Sequence, residues 1–467
     1  MGGLFGVASI KNCTEDLFYG TDYHSHLGTR RGGLAVYGSE GFSRSIHNIE
    51  NDYFRSKFEA DIPNLNGNLG IGVISDYKSQ PLIIRSHLGT FGIVTVEKIN
   101  NTKELADTLC RRKMHFSEST RGLYNPTELT AMLICSEDSF DAGIQKAQEL
   151  IKGSCSMLVM TEKGIYAARD RLGRTPVVIG KKDGAYAASS ESCAFSNLGY
   201  EIDRFLGPGE IVFLNEDGCE QRKKPGDAMQ VCSFLWVYYG YPASIYEGIN
   251  VESVRYRCGC ALAKHDDVSV DFAAGIPDSG IGHAIGYANE KGIPYMRPFV
   301  KYTPTWPRSF MPQNQARRNL VAKMKLIPVK ELIRDKKILF CEDSIVRGTQ
   351  LLDNVQILFD LGAREIHMRT ACPALVYPCE FLNFSSSRST LDLAGRKVIQ
   401  ELEGREDRHL AEYADPDSEK HHRMVTAIGR NLKLTSLKYQ RLDDLIQAIG
   451  LPKEKLCTHC WDGSSYF

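Results

Sequence analysis

The chain has 467 residues, 42% hydrophobic and 24% charged, with 57 basic residues against 57 acidic ones. That composition excludes a largely disordered chain and supports roughly two to four domains, each with its own core. Zero net charge excludes a general nucleic-acid binder, and no apolar run reaches the roughly 20 residues that span a bilayer, so neither nucleic acid nor membrane is an expected partner.

The chain opens Met1-Gly2-Gly3-Leu4-Phe5-Gly6. It shows no basic n-region and no long apolar h-region, so a cytoplasmic protein is expected. Fourteen scattered cysteines fit a reducing compartment, and most, including Cys110, Cys135 and Cys155, read as small buried hydrophobes. Ser139 to Lys152 has a helical pattern. Ser156–Thr161, Gly164–Ala168, Pro176–Gly180 and Ala185–Ser189 are short β runs split by turn residues, which predicts an antiparallel meander. The first half thus reads as antiparallel sheet layered with helices. Gly207-Pro208-Gly209 and the polar run Asn215 to Asp227 place a boundary near residue 225.

Beyond it the rhythm changes. Val268–Ala274 reads as a buried strand and Lys337–Phe340 as another. The next helix carries Leu351, Leu352, Val355, Leu358 and Phe359 on one face, with Thr349 at the N-cap and Gly362 at C′. Ile366–Thr370 is the following strand. Strand, loop, helix, strand is a βαβ unit and requires a parallel sheet. Residues 395–430 are strongly charged and read as a solvated helical or loop excursion, with His421-His422 a weaker metal candidate.

The segment Ile338 to Thr349 carries the most chemistry. A strand delivers Glu342 and Asp343 to a tight turn, and Ser344-Ile345-Val346-Arg347-Gly348-Thr349 leads into a helix N-terminus. Backbone N–H groups there suit an anion, and the paired carboxylates suit sugar hydroxyls or a hard cation such as Mg2+. The string resembles the phosphoribosyl-pyrophosphate (PRPP) motif of type I phosphoribosyltransferases, in the form seen in the glutamine PRPP amidotransferase family. The resemblance covers most of the chain. Ile276-Pro277-Asp278-Ser279-Gly280 with Gly286-Tyr287-Ala288 looks like that family's second site segment, whose serine neighbours Mg2+. Lys301 to Phe310, with Arg308, looks like the loop covering PRPP, but Thr303-Pro304-Thr305-Trp306-Pro307 departs from the usual form. Arg169–Gly173, Ser190–Ala194 and Gly207–Val212 resemble the glutaminase scaffold.

The resemblance implies Glu342, Asp343 and Arg308 as catalytic residues. It implies Lys301 and Ser344 to Thr349 as PRPP-binding, and Ser279, Glu342 and Asp343 as Mg2+ neighbours. Cys457-Thr458-His459-Cys460 alone is a weak signal. The family adds Cys232 and Cys379, giving four thiolates for a [4Fe–4S] cluster, with tetrahedral zinc as the competing metal and His459 as an exposed bystander. The implied architecture is an N-terminal-nucleophile-like αββα sandwich over 1–225, a glutamine amidotransferase type 2-like domain. An α/β phosphoribosyltransferase domain follows over 226–467, its parallel sheet joined by the C-terminal cluster-ligand segment. Family members are homo-oligomers inhibited by purine nucleotides.

Where the family has its nucleophilic cysteine this chain has Gly2, which has no side chain to attack an amide. Cys13, the nearest thiol, lies outside the motif. The family's glutamine-carboxylate segment reads Val73-Ile74-Ser75-Asp76, its oxyanion Asn-Gly reads Val96-Glu97, and an acidic position becomes Pro126, while Arg31 survives. The resemblance therefore implies 5-phosphoribosylamine and pyrophosphate from PRPP, with ammonia, free or delivered by a glutaminase partner, in place of glutamine. A phosphoribosyltransferase for another nitrogen nucleophile and a PRPP- or nucleotide-sensing regulatory paralogue are the alternatives.

Overall fold

Continuous apolar runs in the first half predict strands buried on both faces, and the computed structural model, which describes residues 2–76, 78–117, 119–120, 123–302, 326–383 and 389–464, places them in two facing sheets. The seven-stranded sheet runs Glu201–Phe205, Val178–Lys182, Ala185–Ser189, Gly3–Ser9, Leu69–Ser75, Arg31–Gly38, Gly41–Asn48. The six-stranded sheet runs Cys219–Lys223, Ile211–Leu214, Gly164–Ala168, Gly153–Thr161, Gly89–Ile99, Leu82–Ser86. Pairing within both is antiparallel.

Leu4, Ile71 and Val73 of the first sheet meet Val94, Leu158, Met160 and Ile165 of the second in one core. Outside the first sheet, Phe5 and Val7 pack on Leu17 and Phe18 of helix Thr14–Asp22. Outside the second, Phe91 and Ile93 pack on Leu105, Leu109, Leu129 and Leu133 of helices Thr102–Arg111 and Pro126–Ile134. The result is the expected αββα sandwich.

The predicted meander is corrected. Gly153–Thr161 and Gly164–Ala168 form a hairpin in one sheet, whereas Val178–Lys182 and Ala185–Ser189 form a hairpin in the other. The loop between them crosses the sandwich because it is tied internally. Asp170 Oδ1 accepts from the Arg174 N–H at 3.1 Å and Oδ2 from the Thr175 N–H at 3.0 Å, while the Arg169 guanidinium donates to the carbonyls of Gly173 and Thr175. The helix expected over Ser139 to Lys152 is Phe140–Leu150, with Ser139 capping through Ala142 N–H at 3.2 Å. Of the cysteines read as buried, Cys155 is, Cys135 is half-buried, and Cys110 is exposed on its helix.

The last strand of the six-stranded sheet ends at Lys223, yet the chain stays docked to the first half. Gln230 N–H donates to Leu172 O at 2.7 Å and Cys232 N–H to Arg174 O at 3.1 Å. Val231–Cys232 then pairs in parallel with Leu456–Cys457. The second half holds a parallel sheet ordered Phe272–Gly275, Lys337–Glu342, Glu365–Thr370, Ser436–Tyr439. Helix Thr349–Asp360 connects its middle strands, as the βαβ reading requires, and buries Leu351, Val355 and Leu358. Gly348, not Thr349, is its N-cap residue, because the chain enters at φ +76°, a left-handed conformation that glycine adopts freely. Gly362 does follow the C-cap at φ +93°.

The strand expected at Val268–Ala274 begins only at Phe272. The charged stretch after 395 is more than a solvated excursion. Helices Ala394–Glu403 and Glu419–Asn431 put Val398, Ile399, Met424 and Ile428 into the core and turn most of their charges outward, while Arg396 is buried and donates from Nε to Val376 O at 2.5 Å. His421 is buried, with Nδ1 2.7 Å from Tyr413 O, so it serves packing rather than the metal pair considered with His422. No helix among the described residues is long and apolar enough to cross a membrane.

Asp266 lies just before the parallel sheet and accepts from Arg369 Nε at 2.5 Å and Nη2 at 3.0 Å, from Tyr287 Oη at 2.8 Å and from Lys438 Nζ at 3.1 Å. Burial alone would raise its carboxyl, but the Arg369 guanidinium holds it well below the usual range. Removing Arg369 strands a buried charge. Arg369→Met is therefore expected to cost about 3–5 kcal/mol in chemical denaturation, whereas Lys438→Met, on a half-exposed side chain, is expected to cost less than about 1 kcal/mol.

Candidate active site and four-cysteine cavity

Strands Phe272–Gly275 and Lys337–Glu342 end together, with Gly275 opposite Cys341. Loops 276–280 and 342–348 leave side by side from the carboxyl edge of the sheet, where parallel α/β folds bind ligands. The approach is very close. A Cβ on Gly280 would stand 2.3 Å from Cys341 O, so only glycine fits between the strands' exits.

Asp343 is buried, and its Oδ1 accepts from Ser344 Oγ at 2.6 Å. Glu342 Oε1 accepts from the Asp343 N–H at 3.1 Å. Burial, then the adjacent Asp343, pushes the Glu342 carboxyl well above its ordinary value. Two acids held this way favour a cation or hydroxyl donors, either of which relieves the charge the pair resists.

Ile345 is packed into the core, and Val346 O accepts from the Ala394 N–H at 2.7 Å. These two residues therefore contribute backbone rather than side chains. Arg347 reaches outward to Asp392 Oδ2 at 3.1 Å. No side chain caps the helix that starts at Thr349, so its first N–H groups are free of side-chain partners from the cap. Across the cleft, Ser279 is half-buried on the neighbouring loop, and Lys301, ending strand Phe299–Lys301, pairs its ammonium with Asp278. The structure thus gathers Ser279, Lys301 and residues 342–349 at one sheet edge. Arg308 and the rest of the expected lid over 303–310 lie outside the described residues.

Cys232, Cys379, Cys457 and Cys460 line one cavity together with Arg174, Phe234, Phe381, Leu382 and Trp461. Hydrogen bonding from Cys460, opposed by burial, pulls the Cys379 thiol down to about 6, while Cys460 and Cys232 are pushed up. Among the described residues no three His, Cys, Asp or Glu side chains are grouped so as to hold a metal ion. Four thiols lining one cavity are the donor set of either a [4Fe–4S] cluster or a tetrahedral metal ion. His459 is not exposed as expected. It is buried, with Nδ1 2.8 Å from Ser464 O and Nε2 3.1 Å from Pro378 O.

Gly2 lines a second cavity with Ser75, Thr95, Val96, Glu97, Leu382 and Asn383. A Cβ at Gly2 would lie 2.6 Å from Ile74 O, a backbone atom that cannot swing aside. Asp76 is occupied, accepting from Thr29 N–H at 2.7 Å. Pro126 starts a helix whose cap, Asn125, accepts from Thr127 N–H at 3.0 Å. Burial, offset in part by Thr95, pushes the Glu97 carboxyl up to about 7.

Sequence reasoning missed four participants. Asp278, the partner of Lys301, lies within a segment whose serine alone was singled out. Leu382 and Asn383 close the Gly2 cavity from the second half of the chain, and no local signal marks them. Arg174 lies one residue beyond the Arg169–Gly173 stretch read as scaffold.

Residues 68–197 match the model of a glutamine amidotransferase domain. The amidophosphoribosyltransferase of Methanocaldococcus jannaschii is 29% identical, the match covering 99% of this chain and 97% of that protein. That of Pyrococcus horikoshii is 31% identical over 86% of this chain and 88% of its own. The solved glutamine PRPP amidotransferase from B. subtilis complexed with ADP and GMP superposes with a TM-score of 0.82 at 26% identity, covering 99% of this chain and 96% of that one. A solved allosteric regulatory enzyme of purine biosynthesis gives a TM-score of 0.85 at 26% identity, over 99% and 95%.

Glu97 supplies a pH signature. Its ordinary value is 4.5 and its folded value about 7, so between these pH values the folded state holds a proton that the unfolded state has lost. Stability therefore falls as pH rises through that window and levels off above it. Glu97→Gln is expected to flatten this part of the stability–pH curve and to stabilise the protein at pH 8 (a buffer condition of about that value). Thermal melts of both proteins across the window check it.

Proposed function

Since the chain belongs to the amidophosphoribosyltransferase family, we propose that it forms 5-phosphoribosylamine and pyrophosphate from PRPP, the committing step of purine nucleotide synthesis, with ammonia as nitrogen donor. The observation that carries the ammonia reading is at Gly2. The residue has no nucleophile, and the Ile74 carbonyl fills the space where one would begin. Glu97 adds a carboxyl beside the same cavity, where a developing oxyanion would need donors.

In this reading the backbone of 344–349 and the Ser344 and Thr349 hydroxyls hold the 5-phosphate, and Glu342 and Asp343 accept from the ribose hydroxyls. Lys301 faces the pyrophosphate beside Ser279. Glu342, Asp343 and Ser279 would hold Mg2+, which would neutralise charge on the departing pyrophosphate. The nitrogen lone pair forms the new bond to the ribose C1 as the C1–oxygen bond to pyrophosphate breaks, and a proton leaves the nitrogen for solvent. The leaving group is good, so the residues mainly position. Arg308 belongs to the same set by resemblance.

Residues 1–225 serve as a glutaminase-inactive domain and 226–467 as the phosphoribosyltransferase domain. A [4Fe–4S] cluster on Cys232, Cys379, Cys457 and Cys460 supplies a structural cross-link between the domain junction and the C-terminal segment. The shared cavity supports a four-thiolate site, and family resemblance favours the cluster over zinc. Purine nucleotides are the expected inhibitors, in keeping with the ADP and GMP bound in the B. subtilis relative, and a homo-oligomer is the expected assembly.

Pyrophosphate release from PRPP and Mg2+ tests the reading. Ammonium is expected to support turnover and glutamine alone is not. Asp343→Asn is expected to lower the ammonium-dependent rate by about 100-fold or more with an unchanged circular dichroism spectrum. Undiminished release in that variant overturns the site assignment. Gly2→Cys is expected to gain no glutaminase activity.

A further inference from the structure

Arg174 is a large cation buried to 1% exposure in the first half of the chain, and it forms part of the wall of the four-cysteine cavity. Its position is fixed from several sides. Nη1 donates to Gly153 O at 3.3 Å and Nη2 to Gln230 Oε1 at 3.5 Å. The guanidinium carbon lies 3.5 Å from the centroid of Phe381, two residues beyond Cys379. The Arg174 carbonyl accepts from the Cys232 N–H at 3.1 Å, and Arg174 shares the cavity wall with Cys457. The Cys379 loop is held from the same half: Lys98 Nζ donates to Cys379 O, and Asn100 Nδ2 donates to Glu380 O at 2.8 Å.

A cluster ligated by four thiolates carries a net negative charge in either of its common oxidation states, and burying that charge is costly unless a fixed cation faces it. A buried guanidinium held in the wall of the cavity that the four cysteines line meets that requirement. It also touches the chain beside two of them, Cys232 and Cys379.

We propose that Arg174 is the charge-compensating positioning residue of the cysteine site. In this role the first half of the chain completes the electrostatics of a site whose sulfurs all belong to the second. The proposal rests on the cluster reading given under the proposed function. An added electron makes the cluster more negative, so a facing cation favours the reduced state. Removing that cation should move the midpoint potential to more negative values.

The test uses the full chain purified anaerobically. Iron and sulfide are measured per chain, and the midpoint potential is measured by redox titration, for the natural protein and for Arg174→Gln and Arg174→Lys. The expected result is full iron in all three, a more negative midpoint in Arg174→Gln, and a midpoint restored toward the natural value in Arg174→Lys. Full iron with an unchanged midpoint in Arg174→Gln overturns the proposal. If Arg174→Gln fails to assemble the cluster, assembly in Arg174→Lys with a midpoint near the natural one supports the charge role. Failure of both variants overturns it in favour of packing alone. A natural protein that holds no iron refutes the cluster reading itself, and this proposal falls with it.

Discussion

Strand Gly89–Ile99 ends where the two halves of the chain meet, and side-chain hydrogen bonds to carbonyls fix that meeting. Lys98 and Asn100 donate to the carbonyls of Cys379 and Glu380, and Asn383 donates back to Glu97 O at 2.9 Å. The same few residues have three consequences. They orient the loop that bears Cys379. They bring Leu382 and Asn383 over the cavity beside Gly2. They also place Arg174, across the sheet, against Phe381. The cavity beside Gly2 and the wall of the cysteine cavity are thus two sides of one contact. The first half therefore has mechanical work in this arrangement, whatever its chemistry.

The reacting end obeys a separate constraint. Glycine at 275 and 280 lets two loops leave adjacent parallel strands almost in contact, and every described residue of the proposed PRPP site hangs from those loops or from the neighbouring short strand. Adjacent positions and burial crowd the Glu342–Asp343 acid pair, raising the Glu342 carboxyl, where a cation and a sugar are expected. The junction between the halves is also satisfied by charge. Glu191, within the Ser190–Ala194 segment, accepts from Ser244 Oγ at 3.2 Å and from Tyr246 Oη, and faces His26 Nε2 at 3.0 Å. Although burial would raise it, His26 holds its carboxyl down to about 2. Residues read as glutaminase scaffold therefore serve the joint between halves.

What the sequence made legible follows its local physics. The run from Ile338 to Thr349 carries strand, turn and helix signals within a dozen or so positions, so its fold and its placement at a sheet edge could be read directly. The helix after it was legible because its apolar period and its closing glycine agree. The meander was misread because a two-residue period marks a strand without saying which of two facing sheets it joins. That choice lies in the Arg169–Thr175 loop, whose ties form only in three dimensions. Charge hid the helices after residue 395, whose apolar residues are few but all on one side. The cysteine site was invisible to spacing, since Cys232 and Cys379 lie far from the Cys457–Cys460 pair, and only family resemblance joined them. Arg174 and Asn383 carry no local signal, because their roles exist only across the junction.

The central claim is that this chain takes its nitrogen from ammonia and leaves glutamine untouched. The most direct measurement supplies PRPP, Mg2+, unlabelled ammonium and glutamine labelled with 15N at the amide, then follows label in phosphoribosylamine together with glutamate formed. The account predicts unlabelled product and no glutamate. Labelled phosphoribosylamine with matching glutamate would contradict it, and would place a working glutaminase in this chain despite Gly2.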